Sequence, residues 1–209
     1  MVSYPPWRKT GRRGKLPAGI GRYGQTEGEI AVTDGHGTGP VVRLSGLSLQ
    51  EQSHGEAFSC AMAAIAAPAG ATRLGARLVV VPAGKRAWPF HCHHGNDEMF
   101  VILEGTGTVR FGTDTFRVAA GDVVVCPSGG PETAHQLRAG EEGPLRYIAV
   151  STMNEPDVME YPDSGKVTVF AGSAPGGDKA SRRFAASYRQ DDAVDYWDRE
   201  DGQDHASRP

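Results

Sequence analysis

The segment PFHCHHGNDEMFVILEG, residues 89–105, carries the densest chemical pattern in this 209-residue chain. Side chains alternate between the two faces of a β-strand. If residues 90–93 form a strand, His91 and His93 project from one face and Cys92 from the other. Residues 94–97 predict a turn, after which the chain returns with Glu98 close to the two imidazoles. The spacing therefore predicts two histidines and one carboxylate at a single point.

A third histidine follows in the segment GDVVVCPSGGPETAHQL, residues 121–137. Residues 127–131 predict a turn, and residues 133–137 predict a strand on which His135 can face the same cavity. Three neutral imidazoles and one carboxylate, without sulfur, suit manganese, iron, nickel or zinc better than calcium or magnesium. We therefore expect one divalent metal ion, and its predicted ligands are His91, His93, Glu98 and His135.

The surrounding sequence predicts an all-β domain. Short β-prone runs recur about every ten residues and are separated by turn signals. These runs are residues 78–81, 99–103, 106–111, 115–118, 123–126, 133–138, 145–151 and 166–170. No run from residue 74 to residue 170 keeps helical spacing over three turns, which disfavours a doubly wound α/β fold. The pattern favours an antiparallel sandwich or barrel, and residues 181–188 are a helix candidate.

The chain resembles the cupin superfamily in two signature runs. The first run is Gly84, His91, His93, Glu98 and Gly105. The second run is Gly121, Pro127, Gly129 and His135. Five residues separate Gly129 from His135, where the usual pattern has two. The resemblance spans about residues 74–152 and implies a cupin-type antiparallel β-barrel, that is, a double-stranded β-helix or jelly roll, with a bound metal ion.

Within that superfamily, the chain is similar to a small single-domain group that resembles sugar-phosphate isomerases. Its residues 160–166, EYPDSGK, match a segment that follows the barrel in that group. A metal centre of this kind polarises a carbonyl group or lowers the pKa of bound water. We therefore expect isomerase, epimerase or lyase chemistry on a small oxygenated metabolite.

Two other functions stay open at this stage. The barrel could bind or sense a small ligand without catalysis, or an iron centre could make it a dioxygenase. No residue outside the four predicted ligands is identified as a general base, so the sequence does not decide whether the chain is an enzyme.

The charge distribution divides the chain into three predicted regions. Residues 1–22 hold six basic residues and no acidic one, whereas residues 189–209 hold seven acidic residues against three arginines. We expect a flexible basic N-terminal arm over residues 1–40, a single barrel domain with flanking strands over residues 41–175, and a flexible acidic C-terminal tail over residues 176–209.

Composition restricts the partners and the compartment. The net charge is -3, and no stretch is long and apolar enough for a membrane span, so we expect neither nucleic acid nor a membrane as a partner. Three cysteines without a close pair predict buried thiols and a reducing, cytoplasmic environment. We expect a homodimer that binds a small-molecule ligand or substrate.

Overall fold

The structure is a computed structural model that describes residues 39–200. Most of the predicted N-terminal arm, and residues 201–209 of the predicted acidic tail, lie outside the described residues. The described part is built from strands joined by turns. Its strands are β1 (Gln50–His54), β2 (Phe58–Ala64), β3 (Leu74–Val81), β4 (Cys92–His93), β5 (Glu98–Glu104), β6 (Thr106–Phe111), β7 (Asp114–Ala119), β8 (Val123–Cys126), β9 (His135–Ala139), β10 (Leu145–Thr152), β11 (Asp157–Tyr161), β12 (Lys166–Ala171) and β13 (Phe184–Arg189).

Short 3-10 helices supply some of the connections between the strands. They are Leu44–Gly46, Pro131–Thr133, Pro162–Ser164 and Gln190–Asp192. Within residues 39–200, no helix is long and apolar enough to cross a membrane.

The strands form antiparallel sheets. The largest has the order β1-β2-β3-β10-β5-β8, a second has the order β13-β12-β11-β4, and a third has the order β7-β6-β9. Backbone hydrogen bonds between His91 and His135, from each amide to the other carbonyl at 3.2 and 2.8 Å, join β9 to the chain entering β4. The all-β, antiparallel barrel class predicted from the sequence is confirmed.

A continuous apolar core lies between the sheets. Alternating residues of β3, β5, β9 and β10 supply it, as expected for strands with one buried face. Phe100 and Tyr147 belong to this core, and their rings lie edge to face with 5.7 Å between centroids. Residues of β5 and β9 pack in this core, and both strands begin with a residue of the predicted metal site.

The C-terminal region differs from the prediction in one respect. Residues 181–188 were expected as a helix candidate within an acidic tail that starts at residue 176, but Phe184–Arg189 forms β13 and pairs with β12 along its whole length. Most side chains of β13 are exposed, so the strand shows little apolar alternation in the sequence. It is stabilised instead by backbone hydrogen bonds to the edge of β12.

Candidate metal centre

Three predicted histidine ligands surround the fourth predicted ligand, Glu98, and His91, Glu98 and His135 lie mutually within ligand reach. Strand alternation puts His91 and His93 on the same face, and Glu98 is the first residue of β5 after the predicted turn. His135 is the first residue of β9 and lies opposite His91 through their shared bridge. Three separate chain segments therefore bring their side chains together, as the sequence spacing predicted.

Glu98 lies at the centre of this group. Its Oε2 atom is 2.8 Å from His135 Nε2, 3.5 Å from His93 Nε2 and 3.7 Å from His91 Nε2. The three imidazoles are buried. Atoms bound to one ion at about 2.1 Å lie roughly 3.0 to 3.4 Å apart in octahedral or tetrahedral geometry. The observed distances bracket that range, and His91, Glu98 and His135 form a buried group that is able to hold a metal ion. His93 contacts Glu98 but lies outside this group.

The second nitrogen of each imidazole has its own acceptor. The Nδ1 atom of His91 donates to the Pro89 carbonyl at 2.7 Å, and that of His135 donates to the Thr133 carbonyl at 3.2 Å. A carbonyl oxygen only accepts, so the proton of each neutral ring lies on Nδ1. The Nε2 atoms then point at the Glu98 carboxylate, and in a protonated ring Nε2 carries a second N–H that donates to it, as at the 2.8 Å contact of His135. A metal cation bound among these nitrogens would take the place of the Nε2 protons.

Asp157 is the hydrogen-bond acceptor for Nδ1 of His93, and it was not identified from the sequence. Its fully buried carboxylate accepts the Nδ1 proton of His93 at 2.7 Å and the backbone N–H of Gly95 at 2.9 Å. A side chain at residue 95 would crowd this contact, because a Cβ there would lie 3.1 Å from Asp157 Oδ1. Carboxylates in this position fix the ring and make it a stronger metal ligand.

The pKa shifts follow from this geometry. Burial raises the pKa of Glu98, but hydrogen bonds from the three histidines outweigh it and hold the pKa well below its usual range. Burial lowers the pKa of His91. Burial also opposes the charged form of His93, but its bonds to Asp157 and Glu98 prevail and raise its pKa to about 9. Glu98 is therefore ionised at neutral pH, and its negative charge favours a positive charge among the three imidazoles.

A cavity of about 520 Å³ opens onto this cluster. His91, His93 and Glu98 lie in its wall, together with mostly apolar side chains. The apolar and aromatic members of the wall include Trp88, Phe100, Met153, Met159, Tyr161 and Phe170. The volume suits a small metabolite.

Strand alternation puts Phe100 and Ile102 on the face of Glu98, and Leu137 on the face of His135. The sequence thus predicts an apolar cavity wall made of these three residues. Phe100 lines the cavity, and its ring lies 5.5 Å from that of His135. Ile102 and Leu137 share the buried face but pack in the core rather than in the cavity wall. They follow Glu98 and His135 along their strands and therefore lie deeper, about 13 Å along the strand in the case of Ile102.

A second group of candidate ligands lies on the opposite face of β4. The side chains of Cys92, His94 and Glu160 also come within reach of one another. Cys92 is buried with Phe90 and Ala134, which confirms the expectation of a packed thiol. Burial raises the pKa of Cys92 to about 11, so the thiol stays protonated at neutral pH.

Comparison with known proteins agrees with this description. Residues 77–151 match the family model of the cupin domain. An uncharacterized protein of Methanocaldococcus jannaschii is 31% identical over 72 residues, which are 34% of this chain and 54% of that protein. The chain thus spans about half the length of this curated relative.

Two solved structures share the fold over most of their length. A proposed sugar phosphate isomerase of Acidithiobacillus ferrooxidans aligns with a TM-score of 0.59 and 19% identity, over 72% of this chain and 90% of that one. A cupin-superfamily sugar phosphate isomerase of Silicibacter pomeroyi aligns with a TM-score of 0.61 and 18% identity, over 76% of this chain and 98% of that one. Residues 77–151 therefore match the cupin domain, and in fold the chain resembles these two proteins.

Proposed function

We propose that this chain binds one divalent ion of manganese, iron, nickel or zinc and acts on a small oxygenated metabolite by isomerase, epimerase or lyase chemistry. Its ligands are His91, His93, Glu98 and His135. One observation carries the proposal: three imidazoles, each with Nδ1 engaged elsewhere, direct Nε2 toward one ionised carboxylate at the end of a cavity. A bound divalent ion supplies Lewis-acid polarisation of a substrate oxygen there.

The chain itself supplies the environment for such a reaction. The apolar wall around the cluster excludes bulk water, which strengthens electrostatic interactions inside the cavity. Tyr161 lies beside His91, with 6.1 Å between ring centroids, and it lines the same cavity. Burial raises the pKa of Tyr161, so its hydroxyl group keeps its proton at neutral pH and is able to donate a hydrogen bond to a substrate.

One observation favours a second candidate, a cupin that binds or senses a ligand without catalysis. Among the described residues that line the cavity, Asp178 is the only carboxylate besides Glu98. It accepts hydrogen bonds from the Ala180 amide at 2.9 Å and the Ser181 hydroxyl at 2.7 Å, which lower its pKa. An isomerase normally needs a general base, and this carboxylate is engaged with its own loop.

The test has two stages. Protein purified without added metal is first analysed for metal content, and we expect about one equivalent. It is then screened by NMR for interconversion of small hydroxy-carbonyl compounds, with phosphorylated sugars first because the two solved isomerases share the fold. Turnover that disappears with the metal supports the proposal.

Three results would redirect or overturn it. Ligand binding without turnover would support the sensory function, and oxygen consumption by an iron-loaded sample would support the dioxygenase. Protein that takes up no ion when transition metals are supplied would exclude all of the metal-dependent functions.

We also propose that the chain forms a homodimer. The measurement is light scattering on a size-exclusion column. The expected mass is twice the 22.2 kDa of the chain, and a mass of 22.2 kDa would contradict the proposal.

A further inference from the structure

Two arginines line the cavity that opens onto the metal cluster. Arg77 comes from β3 and Arg182 from the segment before β13, 105 residues later in the chain. Both side chains are half-buried. Their charges lie close enough to influence each other, because Arg182 lowers the pKa of Arg77 while Glu98 raises it, both effects being smaller than that of burial. The two positive charges repel each other, so a negatively charged group bound between them would stabilise the pair.

Protein groups supply few partners for these guanidinium groups. Among residues 39–200, the arginines that form ion pairs are Arg110, Arg138, Arg146 and Arg199. Neither cavity arginine is in this set. Asp178 lies in the same wall, and the charge of Arg182 adds a small part to the lowering of its pKa. Its hydrogen bonds, however, go to its own loop. The positive charge of the pair is therefore left without a carboxylate in contact.

The hydrogen-bond donors of the pair are also largely unused. Arg77 donates to the Gly176 carbonyl and makes a weak contact with the Met62 sulfur at 3.7 Å. Arg182 donates one bond to the Ala174 carbonyl at 3.4 Å and stacks on Phe170, 4.8 Å from the ring centroid. Its Nε–H group is buried and has no acceptor in the described structure. Each guanidinium has five N–H donors, so most of the ten remain available.

The geometry points to a subsite for the phosphate group of a phosphorylated metabolite, held by Arg77 and Arg182 in the cavity of the metal cluster. Two fixed positive charges match the charge of a phosphate monoester, about -1.5 to -2 at pH 7. The planar guanidinium fork also suits phosphate oxygens, which it contacts in pairs. This inference rests on the proposed function for the reacting end of the substrate, but phosphate binding does not require turnover.

The test is a calorimetric titration with inorganic phosphate. It uses the H91A/H93A variant as the background, so that phosphate cannot bind through a metal ion. Arg77→Gln and Arg182→Gln are each expected to weaken phosphate binding about tenfold or more, since each removes charge-assisted hydrogen bonds. Arg117→Gln is the matched control, because this arginine is exposed on β7 outside the cavity. Its phosphate affinity should be unchanged.

Three results overturn the inference. The first is an unchanged phosphate affinity in both cavity variants. The second is equal weakening by Arg117→Gln, which would reflect net charge alone. The third is binding of acetate as tight as that of phosphate, which would assign the subsite to a monoanionic carboxylate. Each is read without any turnover, so the proposed reaction can fail while the phosphate subsite stands, and the reverse also holds.

A second measurement covers the case in which a variant does not fold. Wild-type protein is treated with phenylglyoxal, an arginine reagent, with and without phosphate, and the modified residues are identified by mass spectrometry. We expect phosphate to protect Arg77 and Arg182 but not Arg117. Equal modification of the cavity arginines in both samples would overturn the inference.

Discussion

The two faces of β4 and its flanking residues carry similar side chains but are chemically different. The inner face contributes His91 and His93 to a buried group around Glu98. The outer face contributes Cys92 and His94, which meet Glu160. Distance alone would allow either group to hold an ion. The inner group has its three Nδ1 atoms engaged and its Nε2 atoms directed at one point, which the outer group lacks.

The outer group is already satisfied without an ion. His94 Nε2 lies 2.8 Å from Glu160 Oε1, and its side chain is 41% exposed. A solvent-exposed pair of this kind contributes little and needs no cation. The comparison teaches that the orientation of the ligand nitrogens by a second set of partners, rather than proximity alone, distinguishes a metal site.

The largest expected effect separates the two faces directly. Changing His91 and His93 together to alanine should abolish stoichiometric metal, because two of the four ligands are lost. The matched control is His94→Ala with Glu160→Gln on the outer face, which should keep a full equivalent. The measurement is metal analysis of the purified proteins. A full equivalent in the inner variant would refute the ligand assignment.

The next effect concerns the two faces of β5. Phe100→Ala removes a buried ring that contacts His135 and Tyr147, so we expect a loss of about 3 to 5 kcal/mol in the free energy of unfolding. Ligand binding should weaken with the metal still present. Val101→Ala, on the half-buried opposite face, should cost about 1 kcal/mol. Urea unfolding measures both, and the reverse order would contradict the strand register.

A smaller effect tests the partner of His93. Asp157→Asn should weaken metal binding about 10- to 100-fold, because the ring loses the carboxylate that orients it and makes it more basic. Glu160→Gln makes the same chemical change on the outer face and should leave metal affinity unchanged. Competition with a chelator gives both affinities. Equal affinities for the two variants would show that Asp157 does not support the site.

The smallest expected effect is on the outer face. His94→Ala breaks the contact with Glu160, and we expect the free energy of unfolding to change by roughly 0 to 1 kcal/mol. Thermal and urea unfolding of the wild-type and variant proteins provide the comparison. A loss of several kcal/mol would mean that the outer pair is coupled to the buried core.

The sequence predicted the contacts among His91, His93 and Glu98, because these residues lie within eight positions of one another and follow strand and turn patterns. Strand alternation placed His91 and His93 together, and the turn over residues 94–97 returned Glu98 to them. Asp157 could not be found this way. It reaches His93 because β11 pairs with β4, with Met159 opposite His93, and this register depends on contacts more than 60 residues apart.

The same limit applies to the cavity arginines and to β13. Arg77 and Arg182 lie far apart in sequence and share a cavity only after the sheets close. β13 forms because its backbone pairs with the edge of β12. Its side chains are mostly exposed and show little apolar alternation from which a strand could be predicted. Predictions from sequence were right where side-chain periodicity decides the structure and incomplete where long-range pairing does.

The central claim is that a metal ion lies among the four inner ligands. The most direct measurement is anomalous diffraction from crystals of protein purified without added metal, recorded at the absorption edges of manganese, iron, nickel and zinc. We predict one peak, about 2.0 to 2.2 Å from Nε2 of His91, His93 and His135 and bonded to Glu98. A peak at Cys92, His94 and Glu160, or none within the inner cluster, would contradict the claim.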